Sequence, residues 1–120
     1  MTLAREGFVL LHNPRCSKSR QAKALLEERG VAFEERLYLD APLSRAELED
    51  VAERLGRPIE EWVRRKEAAF AAAGLDASSD ANALLDAVAA EPTLMERPIL
   101  ISGARARVGR PPEDLLALLD

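Results

Sequence analysis

Cys16 is the only cysteine in this chain of 120 residues, and it stands in the run His12-Asn13-Pro14-Arg15-Cys16-Ser17-Lys18-Ser19-Arg20. The apolar run Phe8-Val9-Leu10-Leu11 just before it reads as a buried strand, and after it the apolar positions take up helical spacing. The thiol therefore sits where a strand hands over to a helix. Unpaired amides and the positive end of the helix dipole lower a thiol's pKa at such a place. Arg15, Lys18 and Arg20 add positive charge, and no carboxylate lies between His12 and Arg20. The expected species at neutral pH is a thiolate, and the expected chemistry is redox or nucleophilic.

The residues around it admit a functional and an ordinary role. Ser19, at the fourth position of Cys-x-x-Ser, is placed either to donate a hydrogen bond to the thiolate or to satisfy backbone in the first helical turn. His12 is either a thiolate stabiliser and proton relay or a structural hydrogen-bonder at the end of a strand. Four arginines, Arg97, Arg105, Arg107 and Arg110, lie in a stretch with no acid, and Arg64-Arg65-Lys66 forms another basic cluster. Most surface arginines are simply solvated, but planar donor forks are what a tetrahedral oxyanion needs, since each can hold two oxygens. Arg97 precedes Pro98 at the entry to a strand, where a cis bond is open to it. Arg110 precedes Pro111-Pro112, which favours extended backbone.

These residues need elements to hold them. Residues 8 to 12 read as strand and Ser17 to Glu28 as helix, with Gly30 as its stop. Phe33 to Leu39 reads as a second strand, which a right-handed crossover makes parallel to the first. The thiol then lies at the carboxyl end of the first strand, where open α/β sheets place their ligands. Ser44-Arg45-Ala46-Glu47 is a capping box opening a helix to about Leu55. A short helix from Pro58 to Trp62, one from Ala68 to Ala73 and one from Ala81 to Ala90 follow, capped by Ser79 or Asp80 and closed by Pro92. Residues 44 to 90 thus form a helical block. Pro98 to Ser102 is a strand, Arg105 to Val108 its antiparallel partner, and Pro112 to Leu119 a terminal helix. The expected architecture is α/β, with a mixed sheet of about four strands.

Hydrophobic residues make up 48% and charged residues 32% of the chain, the composition of an ordinary globular protein. The length fits one domain, 1–120, with a core that needs no metal or disulfide staple. Seventeen basic against 21 acidic residues give a net charge of −4, which argues against a nucleic-acid-binding surface. The start of the chain lacks the features of a signal peptide and no apolar run approaches the roughly 18 residues of a membrane span, so a cytoplasmic location without membrane contact is expected. A lone cysteine agrees with a reducing compartment. It also means that any redox cycle draws its second sulfur from outside.

Taken in order, His-Asn-Pro-Arg-Cys-Ser-Lys-Ser-Arg, Leu-Tyr-Leu at the end of the second strand, Arg65-Lys66, Gly74-Leu75, Glu96-Arg97-Pro98-Ile99 and Gly109-Arg110-Pro111 resemble the glutaredoxin-coupled arsenate reductases over essentially the whole chain. The resemblance implies a thioredoxin-like fold with a helical insertion at about 44–90. It implies Cys16 as nucleophile, and Arg65, Arg97 and Arg110 as oxyanion-binding arginines. His12 and Ser19 fall where side chains favour the thiolate, and Pro98 where a cis proline faces the active site. Lys66 sets the register that points to Arg65, with its neighbour Arg64 as the alternative. No bound cofactor or metal is implied. The partners are arsenate or a similar small oxyanion, glutathione as co-substrate, and glutaredoxin, which cleaves the resulting mixed disulfide.

Two other functions share this resemblance. One is a glutathione-dependent thiol reductase of the same family without arsenate activity. The other is an Spx-type regulator that binds RNA polymerase; those regulators use a Cys-x-x-Cys switch, and Ser19 stands here in place of the second cysteine.

Overall fold

A computed structural model describes residues 7–119. Residues 1–6 and 120, which the expected domain span of 1–120 includes, and with them the start of the chain that was read for a signal peptide, lie outside the described residues.

The sheet grows outward from the apolar run that precedes the cysteine. Strand β1 (Phe8–His12) pairs in parallel with β2 (Phe33–Leu37), Phe8 opposite Phe33 and His12 opposite Leu37. On its other side it runs antiparallel to β3 (Ile99–Ser102), which pairs antiparallel with β4 (Arg105–Val108). The order β2-β1-β3-β4 is that of a four-stranded mixed sheet, a thioredoxin-like arrangement. Helix α1 (Ser17–Glu28) makes the crossover from β1 to β2.

Both faces of the central strands are covered, which is why they read as continuous apolar runs. Val9, Leu11, Ile99 and Ile101 point to one face and pack with Trp62, Leu48, Val51 and Leu84 from the helical block. Leu10 and Leu100 point to the other, against Ala22 and Leu26 of α1 and Leu115 and Leu118 from the end of the chain. The period of two in the strands thus feeds two separate cores. Among the described residues no helix is long and apolar enough to cross a membrane.

The helical block opens with α2 (Arg45–Leu55). Ser44 Oγ accepts from the Glu47 N–H at 3.1 Å and the Ser44 N–H donates to Glu47 Oε1 at 3.0 Å, the reciprocal capping box. Gly56 ends the helix at φ +66°, a left-handed conformation that glycine adopts without a Cβ penalty. Glu47 also receives two hydrogen bonds from Arg36 of β2, at 2.6 and 3.0 Å, tying the insertion to the sheet edge. Two further helices follow, α3 (Ala68–Ala72) and α4 (Ala81–Ala90), the latter capped by Asp80, whose Oδ1 accepts from the Ala83 N–H.

Several elements differ from expectation. Strand β2 stops at Leu37 because the Asp40 and Ala41 N–H groups both donate to Leu37 O, turning the chain before Leu39. The segment after Pro58 is a single 3₁₀ turn, Ile59–Glu61, and a second one, Pro92–Leu94, follows α4. The terminal segment Pro112–Leu118 winds as 3₁₀, starting with the Asp114 N–H bonded to Pro111 O. Val63 and Met95 form an isolated antiparallel bridge at the edge of the block that read as wholly helical.

Candidate active site

A short turn delivers the thiol. The Cys16 N–H donates to Asn13 O at 3.0 Å, and Asn13 Oδ1 accepts from the Arg15 N–H at 3.0 Å, an Asx-type turn. Cys16 is the N-cap residue of α1, with extended backbone at φ −96° and ψ 124°. Its side chain closes no regular capping hydrogen bond. Burial raises the thiol's pKa and is the largest single influence. The Ser19 N–H, the Arg97 guanidinium through a hydrogen bond and its charge, and the Lys18 N–H together outweigh it, so the pKa lies below the ordinary value. A helix start and one guanidinium thus stabilise the thiolate. The charged neighbours Arg15, Lys18 and Arg20 are exposed, and Arg20 Nη1 is engaged with Pro14 O at 2.8 Å.

His12 and Ser19 are buried beneath this turn and joined to each other, His12 Nδ1 to Ser19 Oγ at 2.7 Å. Ser19 Oγ also accepts from the Asn13 N–H at 3.0 Å. The Ser19 hydroxyl is therefore taken up by the base of the turn, and it is the Ser19 backbone N–H that acts on the sulfur. Burial lowers the His12 pKa, with Lys23 and Arg20 adding to that effect and Glu35 opposing it, which leaves the imidazole neutral at pH 7. The pair holds Asn13 and hence the cysteine turn in place.

Arg97 arrives from the opposite side of the sheet's end, just before β3, and its peptide bond to Pro98 is cis. Gly109 packs on that proline. Its N–H donates to Pro98 O at 2.7 Å, and a Cβ there would meet Pro98 Cγ and Leu115 Cγ at 2.9 Å each, so only glycine lets the two segments approach this closely. The next peptide bond but one, Arg110-Pro111, is also cis. Arg110 Nε donates to Arg97 O at 3.0 Å and lies 3.0 Å from Glu96 Oε2. The two proline-flanked arginines are thereby locked together.

Of the Arg64-Arg65 doublet, Arg64 is the member tied into this cluster. Its guanidinium pairs with Glu67 and, at 3.6 Å, with Glu96, the same acid that holds Arg110. Arg64 also acts electrostatically on the Tyr38 hydroxyl, as do Arg97 and Cys16. Arg65 is exposed, donates to Glu60 O at 3.3 Å and lies over the Phe70 ring at 5.7 Å. Arg65 lines the same hollow as Arg64, Glu96 and Arg110, from its exposed side. The Arg64 N–H donates to Leu94 O and Trp62 O accepts from the Glu96 N–H, and this bridge fixes which side chain of the doublet faces Glu96. Arg105 and Arg107 are exposed, and Arg107 lines a cleft of about 360 Å³ that also reaches Arg110 and Glu96.

Sequence reasoning gave no role to four residues of this site, Asn13, Tyr38, Glu67 and Glu96, although all but Glu67 lie in the motifs quoted above. Asn13 carried a legible signal, since Asn-Pro initiates turns. Glu96 carried only its place in a motif and Glu67 carried nothing, because such acids read as solvated surface until the fold sets them between arginines. As a whole the arrangement can hold a thiolate nucleophile, lay guanidinium donors beside it, and accept a small anion in exchange for carboxylate partners.

Comparison with known proteins shows the family and the fold. The model of the ArsC family matches residues 11–118. An arsenate reductase of Neisseria meningitidis serogroup A is 46% identical over 112 residues, covering 92% of this chain and 96% of that one. The solved structure of an arsenate reductase from Vibrio cholerae superposes with a TM-score of 0.89 at 38% identity, covering 96% of this chain and 99% of that one. A global transcriptional regulator Spx of Streptococcus pneumoniae is more distant, at 29% identity over 93% of this chain and 85% of its own.

Proposed function

Since the chain belongs to the ArsC family, we propose that it is an arsenate reductase with Cys16 as nucleophile and glutathione and glutaredoxin as external reductants. The observation that carries this is the Arg97 guanidinium acting on the Cys16 thiol, in a cluster where Arg110, bonded to Arg97 O, shares Glu96 with Arg64. Relatives named arsenate reductase support the substrate, and the lone cysteine supports the external thiol.

The Cys16 thiolate attacks the arsenic of hydrogen arsenate. A sulfur–arsenic bond forms, one arsenic–oxygen bond breaks, and that oxygen takes up protons and leaves as water, with arsenic still pentavalent. A glutathione thiolate then attacks Cys16 Sγ. The new disulfide bond forms as the sulfur–arsenic electron pair passes to arsenic, which departs as arsenite in the trivalent state. The Cys16–glutathione disulfide is returned to thiolate by a dithiol such as glutaredoxin. In sum, arsenate and two thiols give arsenite, a disulfide and water. Arg97, Arg110 and Arg64 bind and neutralise the oxyanion, and His12 with Ser19 keep the cysteine turn in register. Such a cycle belongs in a reducing compartment, in keeping with a cytoplasmic location.

The test is a coupled assay with arsenate, glutathione and glutaredoxin. Wild-type protein turns over and Cys16→Ser does not; equal turnover by the variant removes Cys16 as nucleophile. Glutathionylation of Cys16 without arsenate turnover identifies a thiol reductase instead, and arsenate-independent retention of RNA polymerase identifies a regulator.

A further inference from the structure

Two buried polar atoms near Cys16 have no hydrogen-bond partner among the described residues, Tyr38 Oη and Arg97 Nε. Tyr38 follows β2 directly, so it stands at the carboxyl end of the strand parallel to the one that delivers the cysteine. It is fully enclosed, at 0% exposure, in the core that also holds Trp62 and Val63. Phenylalanine would fill that space without leaving a hydroxyl unpaired, and an unpaired buried hydroxyl is destabilising. Native structures contain few such groups, and each has a reason.

The neighbours of the hydroxyl show the reason. Arg97, Cys16 and Arg64 all act electrostatically on it, and Arg97 also acts on it as a donor, which leaves the Tyr38 O–H itself without an acceptor. Two unpaired donors, one phenolic and one guanidinium, therefore converge on the surroundings of one sulfur. The thiolate itself is stabilised by other groups: the Ser19 and Lys18 amides and Arg97. What the two donors suit is an atom set beyond the sulfur, an acceptor carried by a ligand on Cys16.

We propose that Tyr38 is a ligand-contacting residue whose hydroxyl donates a hydrogen bond, beside Arg97 Nε–H, to an oxygen of the tetrahedral oxyanion held at Cys16. This rests on the reading that the site takes arsenate. The hydroxyl keeps a proton to donate, because burial, partly opposed by Arg97, pushes its pKa up to about 12. It is therefore protonated at neutral pH. A hydroxyl of fixed protonation also favours an oxygen-bearing ligand over an alkyl electrophile at the same sulfur.

The probe is arsenate itself, read by how far it protects Cys16 from iodoacetamide. In Tyr38→Phe the arsenate concentration for half-protection rises about ten- to hundredfold, the scale of a hydrogen bond to a charged group. The pH midpoint of alkylation without arsenate stays at the wild-type position. An unchanged half-protection concentration overturns the proposal, as does a loss explained wholly by a moved alkylation midpoint, or a wild-type protein that arsenate does not protect. Should the variant fail to fold, wild-type protein still decides, because Tyr38 is the only tyrosine in the chain. Its single ¹³Cζ resonance shifts on arsenate addition, and a stationary resonance overturns the proposal. Failure of the reductase function reads differently: arsenate then protects Cys16, and Tyr38→Phe weakens that protection, without any arsenite forming in the coupled assay.

Discussion

Replacing Arg97 by glutamine tests the central contact of the site. The substitution keeps a polar side chain but removes the charge and the donor fork. In the wild type, burial raises the Cys16 pKa and is outweighed by the Ser19 amide, the hydrogen bond and charge of Arg97, and the Lys18 amide. Without Arg97 two of those influences vanish and burial remains, so the alkylation midpoint moves upward and the thiolate fraction at neutral pH falls. A hydrogen bond to a charged group contributes about 1.5–3 kcal/mol, which at about 1.36 kcal/mol per tenfold is about 10- to 150-fold in kcat/KM. Arg97 is only partly buried, and solvent screening places the loss in the lower half of that range, about 10- to 40-fold. Arg97→Lys separates charge from fork. Its midpoint moves less than that of glutamine, while kcat/KM for arsenate still falls, because an ammonium cannot serve sulfur and oxyanion in the planar geometry of a guanidinium. Comparing the proteins at a pH above both midpoints removes the difference in thiolate population and leaves the contribution to oxyanion binding. A folded Arg97→Gln protein whose alkylation midpoint matches that of the wild type refutes the assignment of Arg97 as the thiolate's partner.

The doublet is tested by paired alanine substitutions: Arg64→Ala raises KM for arsenate about tenfold or more, the value of one charge-assisted hydrogen bond, and Arg65→Ala stays within about twofold. The opposite ranking in the coupled assay would restore the register set by Lys66. The Arg36–Glu47 pair, with Glu47 at 4% exposure, governs acid stability. Burial raises the Glu47 pKa, but the Arg36 and Ser44 contacts outweigh it and the net shift is downward, so its stabilisation is present above the ordinary glutamate value near 4.3 and is lost as pH falls through the depressed folded value. Glu47→Gln costs about 3 kcal/mol at pH 7, the low end for a broken buried pair, because Arg36 retains Ala41 O and Pro42 O as acceptors. Urea midpoints between pH 3 and 7, followed by the fluorescence of the buried Trp62, converge for variant and wild type at the acid end; a constant gap across that range contradicts the assignment.

The parts legible in the sequence were those set by short-range rules. Strand β1, helix α1 and strand β4 have the boundaries that periodicity and turn chemistry predict, and the Ser44–Glu47 box was specific enough to name its own hydrogen bonds. Cys16 was legible for the same reason, since a strand-to-helix junction is a local pattern with an electrostatic consequence. The rest was decided by contacts outside the periodic pattern of the element concerned. Leu39 falls outside β2 because a turn competes for the Leu37 carbonyl. Arg64 faces the cluster because residues near 63 bridge to residues near 95, a pairing that no periodicity within 58–74 announces. The Ser19 hydroxyl was weighed as a thiolate donor, yet the turn that Asn13 and His12 build beneath it uses that oxygen first.

The carboxylates are what turn the arginines into a site. Arg64, Arg97 and Arg110 brought near one another would repel, and a thiolate of single charge cannot offset them all. Glu96 answers this by bridging Arg64 and Arg110, while Glu67 pairs with Arg64. Both acids are partly exposed, so each can release its partner into solvent at small cost, where a buried pair would resist exchange. On the proposed function an incoming dianion would replace weak carboxylate contacts with contacts to oxygens fixed around arsenic, the cations being already in position. The unpaired Nε of Arg97 and hydroxyl of Tyr38 need no such release. Binding energy gained there is specific to a ligand with oxygens around the sulfur. On the proposed cycle the lone cysteine draws its second sulfur from an external thiol, so the site must also stay open enough at Cys16 for that thiolate to reach the same sulfur.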